Sequence, residues 1–285
     1  MSSDILAGHA NPHTTPLATH MTTSEYLHRI GVPELPPCTA PFDPGYDSST
    51  VEGHLDQSAN LMEILKISMS SWVIADEAIA RRKVAAAAVH SVPTVAGKGL
   101  FQIAVAQGQL ESYLDLCADF GVARVECGES LADLKVRPSQ IARMAHSRGL
   151  ELQFELGRQP GAAESVQHLI DQGDRWLNAG AMQLATETHH PDHPSGVFDA
   201  KGQFNPSFAD RLARAFGLEM VTFAAPDSAA QVAILDHFGR DVHLCNVRLE
   251  DLLAVESFRR GLHSRAFLSD RLHPGRAQSG TQEGR

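Results

Sequence analysis

Three glutamates end three consecutive β-prone segments of the chain. They are Glu126 after Arg-Val, Glu155 after Phe and Glu187 after Ala-Thr, and the spacings are 29 and 32 residues. Each spacing has the length of one strand followed by one helix. Neighbouring parallel strands lie about 4.8 Å apart, so carboxylates at their ends can converge on one point.

Converging carboxylates repel one another and must be neutralised. A divalent cation that prefers oxygen ligands, Mg²⁺ or Mn²⁺, does this and also stabilises an enolate-like oxyanion. The pattern therefore predicts a metal site formed by Glu126, Glu155 and Glu187, with Glu129 as a candidate outer ligand or lid residue. The alternative is that one or two of these glutamates pair with lysine or arginine.

Further polar residues follow other β-prone segments. Asn246 ends the last one, and the next helical segment carries Arg259 and Arg260, which are candidates to bind a phosphate. The alternative for the arginine pair is a helix C-terminus that favours positive charge. Lys98, between two glycines, is a candidate contact for an anion.

A histidine-rich run comes directly after Glu187. It reads His189-His190-Pro-Asp-His193-Pro, and zinc ligation is one interpretation of it. Its spacing does not match the HExxH zinc motif. The prolines favour a loop that covers an active site.

Eight short β-prone segments alternate with segments of helical period. The strands are predicted at 38–43, 63–68, 92–96, 123–127, 151–156, 182–187, 219–224 and 241–247, and the helices at 72–90, 109–120, 138–148, 163–179, 206–216, 228–238 and 249–262. Five helices end in a glycine shortly before a strand, which indicates repeated βα units. The sequence therefore predicts one (β/α)8 TIM barrel, with an open doubly wound sheet as the alternative.

Composition limits the remaining classes of function. The net charge of −10 disfavours a nucleic-acid partner, and no apolar run has the length of a membrane span or signal peptide. The four cysteines form no CxxC pair, which favours reduced thiols and a cytoplasmic protein. Residues 1–36 are predicted as a flexible extension, 37–267 as the barrel and 268–285 as a flexible tail.

Several stretches resemble phosphosulfolactate synthases. The matching pieces include Phe223-Ala-Ala-Pro226, Leu244-Cys-Asn246 and Glu256-Ser-Phe-Arg-Arg-Gly-Leu262, and the similarity extends over about 38–267. The resemblance implies a TIM barrel that needs Mg²⁺ and adds sulfite to C3 of phosphoenolpyruvate, an early step toward coenzyme M. It implies a metal-stabilised aci-carboxylate intermediate, which an acid then protonates at C2.

The resemblance also assigns candidate roles to residues. It implies Glu126, Glu155 and Glu187 as metal ligands. It implies Asn246, Arg259 and Arg260 as groups that bind the substrate, and Lys98 joins them as a candidate because of its position between two glycines at a strand end. The catalytic candidates are Lys66, Arg158 and His189.

Departures from the family pattern remove cationic groups. A lysine of the family is replaced by Pro44, and the lysine pair after the fifth strand becomes Arg158-Gln159. The loss points to an altered nucleophile or enol acid. Two other functions stay open, namely a non-catalytic stress-associated or scaffolding member and an unrelated metal-assisted barrel enzyme. A homo-oligomer is expected.

Overall fold

The computed structural model describes residues 21–129, 136–157, 165–188, 196–199, 201–269 and 272. The chain forms two compact units, Met1–Glu34 and Leu35–Arg285. The first unit contains helix α1 (Thr23–Arg29), which begins with reciprocal hydrogen bonds between the side chains and backbone N–H groups of Thr22 and Glu25. The predicted bounds of the barrel domain, 37 and 267, stay a prediction.

The second unit is a closed barrel of eight parallel strands in sequence order. The strands are β1 (Thr39–Asp43), β2 (Leu65–Ile67), β3 (Thr94–Ala96), β4 (Arg124–Cys127), β5 (Glu151–Leu156), β6 (Gln183–Thr186), β7 (Val221–Ala224) and β8 (His243–Arg248). Pairing between β8 and β1 closes the sheet. The predicted (β/α)8 TIM barrel is confirmed.

Helices pack around the outside of the barrel. They are α2 (Ser48–Ser58), α3 (Met69–Trp72), α4 (Glu77–Val89), α5 (Lys98–Ala106), α6 (Leu110–Asp119), α7 (Pro138–His146), α8 (Val166–Ala179), α9 (Pro206–Phe216), α10 (Ser228–Phe238), α11 (Leu252–Arg259) and α12 (Ser264–Phe267). In the described residues, no helix has the length and apolar character to cross a membrane. All four cysteines are free and buried.

Several helix boundaries differ from the prediction. The helix expected at 72–90 begins later, at Glu77, where the side chain of Asp76 caps α4, and Trp72 instead ends the short helix α3. Helices α2 and α5 were not expected from the sequence. The glycines expected to end helices all have positive φ, and they are Gly121, Gly149, Gly180, Gly217 and Gly239.

Strand alternation decides which side chains enter the barrel. In β4 and β5, Val125, Cys127, Phe154 and Leu156 belong to the apolar core between the sheet and the helices. Successive side chains of a strand point to opposite faces. The glutamates between these apolar residues therefore point into the barrel. A second, smaller cluster of buried apolar side chains is separate from this core and is formed by Ala40, Ile64, Val95, Ala185, Ala224 and Cys245.

Asp43, at the end of β1, anchors the loop that follows it. One carboxylate oxygen accepts hydrogen bonds from the backbone N–H groups of Gly45 and Tyr46, at 2.7 Å each. The other accepts from Lys83 Nζ at 2.9 Å and from Trp72 Nε1 at 3.0 Å. Asp43 and Lys83 are both buried, so this ion pair fixes the loop from outside the barrel.

Replacement of Lys83 by methionine should destabilise the protein by about 3 kcal/mol, because it leaves the buried carboxylate of Asp43 without its ammonium partner. Arg82, the preceding residue on α4, forms an exposed pair with Glu52 and provides the matched control. Urea unfolding of K83M and R82M measures both effects. Equal unfolding midpoints for the two variants would contradict the anchoring role of Lys83.

Candidate active site

Two lysines and three glutamates form one chain of ion pairs at the C-terminal end of the barrel. Lys66 Nζ lies 2.7 Å from Glu126 Oε1 and 3.2 Å from Glu155 Oε2. Lys98 Nζ lies 2.5 Å from Glu155 Oε1 and 2.8 Å from Glu187 Oε1. Negative and positive groups therefore alternate across the mouth, and we call these five residues the charge cluster.

Glu126 is the most deeply buried member of the charge cluster. Besides Lys66, it accepts hydrogen bonds from the backbone N–H of Lys98 at 3.2 Å and from Gln153 Nε2 at 2.7 Å. Burial raises the pKa of this carboxyl above its usual range, and the neighbouring Glu155 adds to the effect although Lys66 opposes it.

The pKa of Glu155, in contrast, is lowered. Burial would raise its pKa, but the ammonium groups of Lys66 and Lys98 outweigh burial and lower the pKa of Glu155 to about 2. Burial would lower the pKa of each lysine, and the adjacent carboxylates instead raise the pKa of both. Both lysines and Glu155 are therefore charged at neutral pH.

Glycines at the strand ends leave the space that the cluster needs. A Cβ atom on Gly97 would lie 3.2 Å from the carbonyl oxygen of Ile67. A Cβ atom on Gly128 would lie 3.0 Å from Cδ of Lys98, and one on Gly157 would lie 3.2 Å from Oε2 of Glu187. These contacts are closer than ordinary van der Waals packing, so larger residues would displace the lysine and the glutamate.

The charge cluster forms the base of a cavity of about 610 Å³ at the mouth of the barrel. Asn246 also lines this cavity, and its Nδ2 donates a hydrogen bond to Thr188 Oγ1 at 2.6 Å. Asn246 has φ of +57°, a left-handed conformation that asparagine tolerates better than most residues. The structure therefore brings Lys66, Lys98 and Asn246 together with the three glutamates.

A three-glutamate magnesium site does not fit this arrangement. In the parts of the chain that the structure describes, no three His, Cys, Asp or Glu side chains form a group that could hold a metal ion. Both oxygens of Glu155 face ammonium groups, and both oxygens of Glu126 accept hydrogen bonds. The contacts observed are those of the alternative stated from the sequence, in which the carboxylates pair with lysine.

The structure does not bring Arg259 and Arg260 to the cavity. Helix α11 runs back along the barrel, so its last residues lie at the N-terminal ends of the strands. There the buried guanidinium of Arg259 donates to the carbonyl oxygens of Arg240 and Val242 at 2.6 and 2.7 Å. Both arginines also pair with Glu256. This placement corrects the expectation of a phosphate site.

Other sequence candidates have separate outcomes. Arg158 and His189 lie outside the described residues, so their catalytic roles stay predictions. Glu129 accepts hydrogen bonds from Arg175 and Trp176 of α8, at 2.9 Å each. These contacts direct the Glu129 carboxylate toward the outer helix, which corrects its expected place as an outer ligand.

Two cavity residues, Tyr46 and Arg248, were missed by the sequence analysis. Tyr46 lies two residues after Pro44 in the loop that follows β1, and the family pattern gave it no role. Arg248 is the last residue of β8 and lies one position beyond the strand predicted from the sequence. The one available signal was the rule that strand ends of such barrels bear functional side chains.

Comparison with known proteins identifies the family to which the chain belongs. The (2R)-phospho-3-sulfolactate synthase (ComA) family matches residues 36–265. The chain is 25% identical over 234 residues to the phosphosulfolactate synthase of Methanocaldococcus jannaschii, covering 80% of this chain and 93% of the relative. It is 20% identical to that of Bacillus subtilis, covering 79% and 90%.

Solved structures show the same fold at low sequence identity. The chain is similar to 3-dehydroquinate dehydratase from Geobacillus kaustophilus, with a TM-score of 0.53, 14% identity and coverage of 78% of this chain and 90% of that one. It is also similar to a putative fructose-1,6-biphosphate aldolase from Coccidioides immitis, with a TM-score of 0.50, 14% identity and coverage of 83% and 85%. At this identity the likeness shows only the barrel.

Replacement of Lys98 by methionine should make the protein's stability less sensitive to acid. The folded pKa of Glu155 is depressed, so its ionisation stabilises the protein above the unfolded pKa of about 4.3, and this contribution is lost as pH falls through about 2. Without Lys98 the pKa of Glu155 rises and the contribution shrinks. The destabilisation caused by K98M should therefore diminish from pH 7 to pH 3, by at most about 1.4 kcal/mol per pH unit.

Urea unfolding of the wild type, K98M and K201M at pH 7 and pH 3 measures this dependence. Lys201 is an exposed lysine outside the cluster, so K201M should follow the wild type at both pH values. A destabilisation by K98M that is the same at both would show that Lys98 does not control the ionisation of Glu155.

Proposed function

The chain belongs to the (2R)-phospho-3-sulfolactate synthase family, and from this membership and the charge cluster we propose that it is a lyase-type enzyme. The proposed reaction adds sulfite, or another nucleophile in its place, to C3 of phosphoenolpyruvate or a related enol acid. The observation that carries the proposal is the position of two lysine ammonium groups and three glutamates at the C-terminal mouth of the barrel, where enzymes of this fold hold their active sites.

Lys98 is the group best placed to meet an anionic substrate. Its side chain is 18% exposed, whereas that of Lys66 is 7% exposed and lies deeper. Lys98 is also the first residue of α5, so it combines an ammonium with the positive end of a helix. Gly97 and Gly99 on either side line the cavity as well, and they allow a ligand to approach the backbone closely.

The chemistry requires negative charge to move into the carboxylate of the enol acid. Attack of the sulfite sulfur forms a C–S bond at C3, and the π electrons of C2=C3 move to give an aci-carboxylate. Ammonium groups fixed beside that carboxylate stabilise the added charge without reorganising. A proton then adds at C2, and we assign its delivery to Lys98 because its ammonium faces the cavity.

Glu155 keeps both lysines in place for this reaction. It contacts each ammonium and stays ionised, so it holds them protonated and apart. The charge cluster has one more carboxyl group than ammonium groups, so by itself it does not attract a polyanion. That balance supports the expectation of an altered enol acid or nucleophile.

We also propose that the reaction depends on Mg²⁺, as the resemblance implies. No step is assigned to the ion, because the three glutamates do not form its ligand set. Arg158 and His189, which follow β5 and β6 in the sequence and lie outside the described residues, stay proposed as additional catalytic groups. A cytoplasmic location and a homo-oligomeric state are likewise proposals.

The reaction is tested by incubating the protein with phosphoenolpyruvate, sulfite and Mg²⁺ and following the phosphorus signal by ³¹P NMR. We expect a new phosphate ester to appear, and we expect K98M and E155Q to slow its formation by about 100-fold or more, as loss of a proton donor or its positioning group does. K201M is the matched lysine control and should retain full activity.

Two outcomes would count against parts of this proposal. Absence of any new ester with folded wild-type protein would remove sulfite and phosphoenolpyruvate as the substrates. Full activity of K98M would remove Lys98 as the proton donor while leaving the reaction in place. Repeating the assay with EDTA decides whether a divalent ion takes part.

A further inference from the structure

The side of the cavity between β8 and β1 carries a second set of charged groups. Arg248 ends β8 and pairs in register with Phe42 of β1. Tyr46 lies in the loop after β1, which Asp43 holds in place through its backbone N–H groups. Tyr46 and Arg248 both line the cavity, so this side of the mouth is built from neighbouring strand ends.

Arg248 and Tyr46 share one acidic partner, Glu250. The guanidinium of Arg248 contacts Oε1 of Glu250, and the hydroxyl of Tyr46 donates to Oε2 of the same carboxylate at 2.6 Å. The side chains of Arg248 and Glu250 are 63% and 42% exposed. An ion pair this exposed contributes little to stability, so the guanidinium can exchange partners at low cost.

Arg248 adds a positive charge to a cavity whose two lysines are already paired. The ammonium groups of Lys66 and Lys98 are already engaged by three carboxylates. Among the described residues that line the cavity, Arg248 is the one cationic side chain outside the charge cluster. A substrate with two anionic groups therefore meets Lys98 at the base and Arg248 at the rim.

We propose that Arg248 binds an oxyanion group of the substrate, a phosphate or a carboxylate, by releasing Glu250. The planar guanidinium can donate two parallel hydrogen bonds to such a group. Tyr46 retains Glu250 through its hydroxyl, so the displaced carboxylate keeps a partner. The role of Arg248 rests on the proposed function in one respect, which is that the ligand is the phosphate of an enol acid.

The opposite effects of two substitutions test this arrangement. R248Q should raise the Kd for phosphoenolpyruvate by about tenfold or more, since it removes a charge-assisted, two-point contact. E250Q should lower that Kd by about two- to fivefold, because Arg248 no longer has to leave an ionised partner. R248K keeps the positive charge but cannot donate two parallel hydrogen bonds. Its Kd for phosphoenolpyruvate should therefore lie between those of the wild type and R248Q.

Isothermal titration calorimetry with phosphoenolpyruvate and with inorganic phosphate measures these affinities. The exposed pair of Arg82 with Glu52 provides matched controls, and R82Q and E52Q should bind both probes as the wild type does. In the turnover assay, R248Q should raise KM with little change in kcat, which a general loss of structure would not do.

The outcomes separate this inference from the proposed reaction. Unchanged affinity of R248Q overturns it, as does a loss of affinity in E250Q equal to that in R248Q, because the pair would then be structural. Wild-type protein that binds neither probe also overturns it. Binding of inorganic phosphate that depends on Arg248, without turnover of phosphoenolpyruvate, supports the site and removes the proposed substrate.

Discussion

The alternation of charge across the barrel mouth is the interaction on which the rest of this site depends. Glu126, Glu155 and Glu187 point toward one region because their strands are neighbours, and ionised carboxylates so close together repel one another. Lys66 and Lys98 lie between them and remove this repulsion. Lys66 comes from β2 and Lys98 from the start of α5, directly after β3, so the site combines side chains from five consecutive βα units of the barrel.

Buried ion pairs occur at three levels of this barrel. At the N-terminal end, Arg259 connects the start of β1 with the start of β8. Outside the sheet, Lys83 holds Asp43 and the loop after β1. The charge cluster occupies the C-terminal mouth. A buried pair costs desolvation and is costly to break by removing one partner. The first two pairs therefore act on the scaffold, and they leave the groups of the mouth to contact ligands.

The fold and the convergence of the three glutamates could be predicted from the sequence because both depend on local patterns. The alternation of strands with helices and the helix-ending glycines repeat along the chain, and the C-terminal ends of parallel strands all meet at one end of a barrel. The arginine pair was misplaced because helical period alone does not show that Arg259 lies at the opposite end of the barrel. Lys98 was expected to contact an anion, but its pairing with Glu155 joins residues from separate βα units, which no local pattern reveals.

A crystal structure of the protein with phosphoenolpyruvate bound tests whether the charge cluster is the substrate site. We expect the enol acid at the C-terminal mouth of the barrel, with one of its oxygen atoms within about 2.7–3.2 Å of Lys98 Nζ. Glu155 should remain between Lys66 and Lys98 in that complex. A ligand bound elsewhere, or bound at the mouth with no oxygen near Lys98, would contradict the claim that the charge cluster is the substrate site.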